Sequence, residues 1–274
     1  MRRKDLELGE GVELVKEKEL EGDLKKEVED GKLSEVIKQG DLLAPIPVGF
    51  SVSRTEGENT ISGGLVIYDG ESNENRNNEF VWIPYTDSKE YVEEYVGPIT
   101  EREHYHSYSF PTDSQKNLDY WYGENFYNYS QDFNYEEDKE NIENSINKYK
   151  GFYIGRYETK IDDGKICVKK NAEILTSQHI LKEGINSNCN EPYYYRWWGL
   201  YKTEKDMYNN EAVFSSMITS GNRQVIMIFT DNCNSIDNDI NKNINDLIEG
   251  VWEISLSIYN RDYRNGFGRT WFSW

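Results

Sequence analysis

Hydrophobic positions are spread unevenly along the chain. Over residues 1–40, Leu14, Val15, Leu20, Leu24, Val28, Leu33, Val36 and Ile37 lie scattered among dense Glu and Lys, and Gly9, Gly11, Gly22, Gly31 and Gly40 break any sustained period. No heptad survives such breaks, so the pattern predicts short, solvated helical pieces, and residues 1–41 read as a charged helical linker or stalk. From Leu42 the character changes. Ala44-Pro45-Ile46-Pro47-Val48-Gly49-Phe50 is an extended lead-in set by its prolines, and a folded domain is expected over 42–274. Gly63-Gly64-Leu65-Val66-Ile67-Tyr68-Asp69-Gly70 predicts a short strand closed by Asp-Gly. After a polar turn, the β-branched and aromatic run Glu79-Phe80-Val81-Trp82-Ile83-Pro84 predicts a second strand, and the two form a hairpin.

Residues 86–149 read as an aromatic and polar insertion ending in a helix over Glu136 to Lys150, where Ile142 and Ile146 stand four apart. Tyr120-Trp121-Tyr122 and Phe126-Tyr127-Asn128-Tyr129 suit either a sugar-stacking platform or rings that pin a long loop to the core, the pinned loop being favoured. Gly151-Phe152-Tyr153-Ile154-Gly155-Arg156-Tyr157-Glu158-Thr159 predicts a strand with glycines where backbones or rings approach closely. Val213, Met217 and Ile218 suit one amphipathic turn of helix. Gln224 to Phe229 suits a buried helix or a core strand, and Asn243 to Ile254 ends in a strand.

Composition places the chain near the polar edge of the globular class: 36% hydrophobic and 30% charged, with 7 Trp, 21 Tyr and 10 Phe to supply rigid apolar surface. A net charge of −19 opposes attraction to nucleic acid phosphates and anionic lipid, so neither nucleic acid nor membrane is an expected partner. Cys167, Cys189 and Cys233 are too few and too irregularly spaced for a disulfide framework or a CxxC metal pair. The basic tip Met1-Arg2-Arg3-Lys4 runs into acidic residues with no apolar stretch behind it, so as written the chain is expected to stay where it is made, in the cytoplasm by default or within a surface or phage assembly.

The order of these pieces resembles a known family. Gly151 to Glu158 is similar to the "GFYIGRYE" strand of formylglycine-generating-enzyme-like (sulfatase-modifying-factor) domains. Ser215-Ser216-Met217-Ile218 with Gln224-Val225-Ile226-Met227 resembles their "SSLI…QWDAML" helix, Asp246 to Glu253 resembles "DLAGNVWEW", and Gly268-Arg269-Thr270-Trp271 is a worn counterpart of "RGGSW". Ile46 to Phe50 and Asn78 to Pro84 look like the leading strands. The resemblance implies an α+β, irregular C-type-lectin-like fold of small twisted antiparallel sheets, about two helices and long loops. Its relatives include oxygen-dependent enzymes, iron sulfoxide synthases, and non-catalytic display proteins such as the variable proteins of diversity-generating retroelements. Fold does not choose among these, so the site must.

The oxidase chemistry needs two reactive thiols near the C-terminal end, and Trp252 to Trp274 contains no cysteine. The iron-dependent chemistry needs a histidine cluster; His104, His106 and His179 are the only histidines, and His104-Tyr105-His106 lacks an identifiable third ligand. Where the family holds a structural calcium, Glu253 matches the glutamate, but Gly250 replaces the asparagine. One oxygen ligand is thus lost, and a structural calcium is left open rather than predicted. Trp252 reads as core filling.

No catalytic or metal residues, and no cofactor, are therefore expected. The alternatives retained are a metal-dependent oxidase or synthase of this superfamily and a structural surface or particle component. The favoured expectation is a non-catalytic binding protein for a protein or carbohydrate partner. Its candidate ligand-binding residues are Tyr259, Asn260, Arg261, Tyr263, Arg264, Asn265 and Phe267, because Tyr and Arg give large contact area with a polar handle and Asn adapts its hydrogen bonds. The same residues also suit rim loops and a last core strand. The family's closing "GFR" strand, which pairs with the "GFYIGRYE" strand, has no counterpart before Trp274.

Overall fold

A computed structural model describes residues 8–85, 141, 144–146, 148–163, 165–174, 204–205, 207–208, 212–215, 225–226, 229–230 and 240–245. Within these residues the protein is α+β, with few helices and small antiparallel sheets.

The first sheet has the order β1-β2-β3, from Val12–Leu14, Leu33–Gln39 and Leu42–Pro47. One helix, α1 (Gly22–Glu29), lies between β1 and β2. It ends because Gly31 takes a φ of 72°, which turns the chain so that the Gly31 N–H donates to Val28 O at 3.1 Å and the Lys32 N–H to Glu27 O at 2.9 Å. These two bonds satisfy the helix's last carbonyls. Strands β2 and β3 form a hairpin whose tight turn, Gly40-Asp41, uses a positive φ at Gly40. Pro45 and Pro47 sit on β3, which has β2 as its one partner in this sheet and can spare their missing donors on its other edge.

The stretch expected as solvated helical pieces holds two of them, a 3-10 turn at Glu17–Glu19 and α1, but also two strands, and the boundary expected after residue 41 falls in the turn of a hairpin. The reason is where the scattered apolar positions fall. Val36 and Ile37 are fully buried, and Leu33 nearly so. A strand buried on both faces shows no alternation, and Lys and Glu dominate the residues around it.

The second sheet, order β4-β5-β6-β7, combines Ser51–Val52, Val66–Ser72, Asn75–Pro84 and Gly151–Gly155. The β5–β6 pairing matches the sequence expectation, but the polar stretch from Glu71 to Asn78, expected as a turn, is mostly strand, with β5 running to Ser72 and β6 starting at Asn75. Strand β7 then pairs with β6 across the whole intervening segment, placing Val81 opposite Ile154 and Trp82 opposite Tyr153. Successive residues alternate between two cores. Val66, Val81, Ile83 and Ile154 face one core, with Ile146, Val225, Ile226 and Ile244. Leu65, Ile67 and Trp82 face the other, which the first sheet closes with Ile37, Ala44 and Ile46. Gly151 is required where it stands, because a Cβ there would lie 2.4 Å from both the Trp82 ring and Ile83 O.

Two small hairpins complete the described fold: β8 (Lys160–Asp162) with β9 (Lys165–Cys167), extended by β10 (Glu173–Ile174), and β11 (Ile240–Asn241) with β12 (Ile244–Asn245). Residues 225, 226 and 229 are helical, which decides between the helix and strand readings of that run, and Thr230 bonds back to Ile226 O through both its N–H and its hydroxyl. Of the turn of helix expected at Val213, Met217 and Ile218, the last two lie outside the described residues; residues 213–215 are not helical, the Ser215 N–H donating to Tyr208 O at 3.0 Å and its hydroxyl to Glu204 O at 2.6 Å. Among the described residues, no helix is long and apolar enough to cross a membrane.

Candidate functional site

The expected ligand-binding residues Tyr259, Asn260, Arg261, Tyr263, Arg264, Asn265 and Phe267 lie outside the described residues, as do His104, His106, Cys189, Cys233 and Glu253. What the structure brings together is a cluster of charge that sequence reasoning did not anticipate. It sits where β5, β6 and the end of β7 meet the loop before β5.

Arg76 Nη1 lies 2.7 Å from Glu58 Oε2 and 2.9 Å from Glu79 Oε2. Arg156 completes the square, with Nη2 2.7 Å from Glu58 Oε1 and Nη1 2.8 Å from Glu79 Oε2. All four side chains are only 10–13% exposed. The Ser53 hydroxyl donates to Glu58 Oε2 at 2.6 Å, Arg76 Nη2 donates to Asn73 Oδ1 at 2.6 Å, and Arg76 Nε donates to Asn73 O at 2.8 Å. The Tyr68 ring stacks on the Arg76 guanidinium, and the Tyr157 ring lies over that of Arg156.

Burial pushes the Glu58 carboxyl up, but the bonds from Ser53, Arg76 and Arg156 outweigh it and hold the group below its ordinary value of 4.5. Burial likewise opposes the charge on Arg76, and the carboxylates of Glu58 and Glu79 overcome it. Two carboxylates and two guanidiniums are thus paired in one closed ring of ion pairs. Glu58 is poorly suited to exchange protons at neutral pH, because its carboxyl is held below its ordinary value, and the guanidiniums beside it do not give up their protons. The cluster's chemistry is that of a rivet between strands.

A second polar knot ties residue 208 to the same hairpin. The Tyr208 hydroxyl donates to Asp69 Oδ2 and accepts from Asn78 Nδ2 at 2.8 Å, while the Asn78 N–H donates to Asp69 Oδ1 at 2.6 Å. Asn78 Oδ1 accepts in turn from the Val168 N–H at 2.8 Å. Burial, and then the bond to Asp69, raise the Tyr208 phenol far above its ordinary value, so it remains a neutral donor. Phe50 and Phe80 pack on the Tyr208 ring at centroid distances of 5.4 and 5.8 Å. Cys167 is a buried free thiol whose pKa is raised by burial. Among the described residues, no three His, Cys, Asp or Glu side chains gather closely enough to hold a metal.

Arg156 was visible as part of the Gly151 to Glu158 strand segment, but nothing local pairs it with Glu58, far upstream in sequence. The available hint was charge inside or beside apolar strand runs, as at Glu79 and Arg156. The fold and this cluster define an α+β protein of small sheets in which two carboxylates and two guanidiniums are paired inside the fold. No protein-family model matches the chain, and no curated protein or solved structure matches it.

Proposed function

We propose that this protein is a non-catalytic binding protein: an α+β scaffold, resembling the formylglycine-generating-enzyme branch of the C-type-lectin fold, that presents its C-terminal stretch to a protein or carbohydrate partner. The observation that carries the reading is the recognition chemistry of that stretch. Tyr259, Asn260, Arg261, Tyr263, Arg264, Asn265 and Phe267 fall within nine consecutive positions of a chain that is otherwise strongly acidic. The buried cluster of Glu58, Arg76, Glu79 and Arg156 fits this reading, since its four side chains are taken up by pairing with one another inside the scaffold.

The test replaces Tyr259, Arg261, Tyr263 and Arg264 by Ala in the full chain and screens wild type and variant against a glycan array and a cell-surface protein array. The expected result is an unchanged thermal transition with loss of the signals that wild type gives. Unfolding of the variant would make these residues core, and retention of every signal would remove the stretch from the binding face.

A further inference from the structure

Three parts of the chain meet at the loop from Gly57 to Gly64. The N-terminal part holds one side: the Gly9 N–H donates to Asn59 O at 3.2 Å, and the Ser62 N–H donates to Gln39 Oε1 at 2.8 Å. The loop also supplies Glu58 to the charged cluster and Ile61 to the core beneath the first sheet. On its remaining side stands the β11–β12 hairpin.

That hairpin turns through Lys242 and Asn243, both with positive φ, 44° and 68°, which matches the twist of the two flanking strands. The turn aims the Asn243 side chain at the loop. Asn243 Nδ2 lies 2.8 Å from Gly57 O, 3.2 Å from Gly63 O and 2.8 Å from Gly64 O. Three carbonyl acceptors around one atom require that atom to be the amide nitrogen, since the amide oxygen would face three like dipoles. The backbone is as close as the side chain. Gly64 has a φ of 91°, and a Cβ on it would fall 1.9 Å from Lys242 O, so only glycine leaves room for the hairpin. Asn245 adds a second attachment through its N–H and Nδ2, at 2.9 and 3.2 Å from Arg156 O.

We propose that the loop from Gly57 to Gly64 is an internal docking socket for a nitrogen donor, and that Asn243 is the positioning residue that plugs the 240–245 hairpin into it. The hairpin itself is thereby fixed beside the Glu58 and Arg156 pair, through Asn243 on Gly57 O and Asn245 on Arg156 O. The value of this anchor for recognition rests on the binding reading above, whereas the socket itself does not.

Hydrogen exchange by mass spectrometry tests it in the full chain with a chelator present, reading peptides that cover residues 57–66 and 240–245 for wild type, Asn243→Asp and Asn243→Ala. Asp is isosteric with Asn and tolerates the positive φ, but its carboxylate would face three carbonyl oxygens, which raises the docked pKa above the ordinary value of about 3.9. The protonated form can donate, so docking is retained at low pH and is lost as pH rises through the raised pKa. At about pH 7 both variants should exchange about tenfold faster than wild type in both peptides, the change expected from losing one part-buried group that bonds several carbonyls. At about pH 4.5 Asn243→Asp should move back toward wild type while Asn243→Ala stays fast.

Wild-type protection in either variant at neutral pH would overturn the socket, and so would identical behaviour of the two variants at every pH. Far-UV circular dichroism run alongside separates local release from global unfolding; global unfolding of Asn243→Asp at both pH values would also overturn it. If the exchange result holds while the alanine variants of Tyr259, Arg261, Tyr263 and Arg264 keep their array signals, the binding reading fails and the socket stands.

Discussion

At the scale of single residues, the described structure depends on a few positions where one atom decides the local geometry. Gly151 is the sharpest case, because the Trp82 ring and Ile83 O occupy the space its Cβ would take. Trp82 is only 1% exposed and cannot retreat into solvent. Gly151→Ala is therefore expected to destabilise by about 1–3 kcal/mol through overpacking, seen as a fall of several degrees in the thermal transition. An unchanged transition would mean that β6 and β7 do not pair in the register that sets Pro84 opposite Gly151. Asn78 is the polar counterpart: its side chain and its N–H together join Asp69, Tyr208 and Val168, so one short side chain ties β6 to three other segments.

Among the elements, the first sheet matters most, since its Ile37, Ala44 and Ile46 form one core with Leu65, Ile67 and Trp82 of the second. Removing residues 1–41 would take away β1, α1 and β2, leave β3 without its partner, and expose the Trp82 face. Exposed apolar area of that size drives association. The expected outcome is an aggregating chain that has lost its near-UV circular dichroism. A soluble, cooperatively folding remainder would instead restore the linker reading of this segment. Part of this was readable in the sequence. The β5–β6 hairpin announced itself through its β-branched runs and intervening polar stretch. Strand β2 did not, because Leu33-Ser34-Glu35-Val36-Ile37-Lys38-Gln39 lacks alternation and its partner β3 carries two prolines. Nor did the helix at 225–226 and 229, where a short apolar run has no period long enough to separate the two readings.

For the molecule as a whole, the buried charged cluster contributes to the response to acid. Glu58 has its pKa lowered: burial raises it, and the bonds from Ser53, Arg76 and Arg156 outweigh that effect. A carboxyl depressed in the folded state contributes stability above its unfolded pKa and loses it as pH falls through the folded value. Stability from this group should therefore be complete at neutral pH and drain away below about pH 4.5. In Glu58→Gln that portion of the acid sensitivity should vanish, at the expense of about 3 kcal/mol near neutrality, because two buried guanidiniums would then share one carboxylate. Urea titrations from about pH 3 to 7 would show the two stability curves converging as pH falls. Parallel curves would show that Glu58 is not the titrating partner of the cluster.

The sequence by itself determined what short-range physics can encode: the β5–β6 hairpin, the strand at Gly151, the glycine there that gives a ring room, and a composition opposed to polyanion binding. Only the tertiary structure decided that the acidic N-terminal segment is part of the core, that Glu58, Arg76, Glu79 and Arg156 pair with one another, and that Asn243 reaches three carbonyls about 180 residues upstream. The division follows from distance along the chain. Strand patterns and turns are written in neighbouring residues, whereas a buried charge or an amide in a carbonyl socket takes its meaning from a partner that only folding brings near.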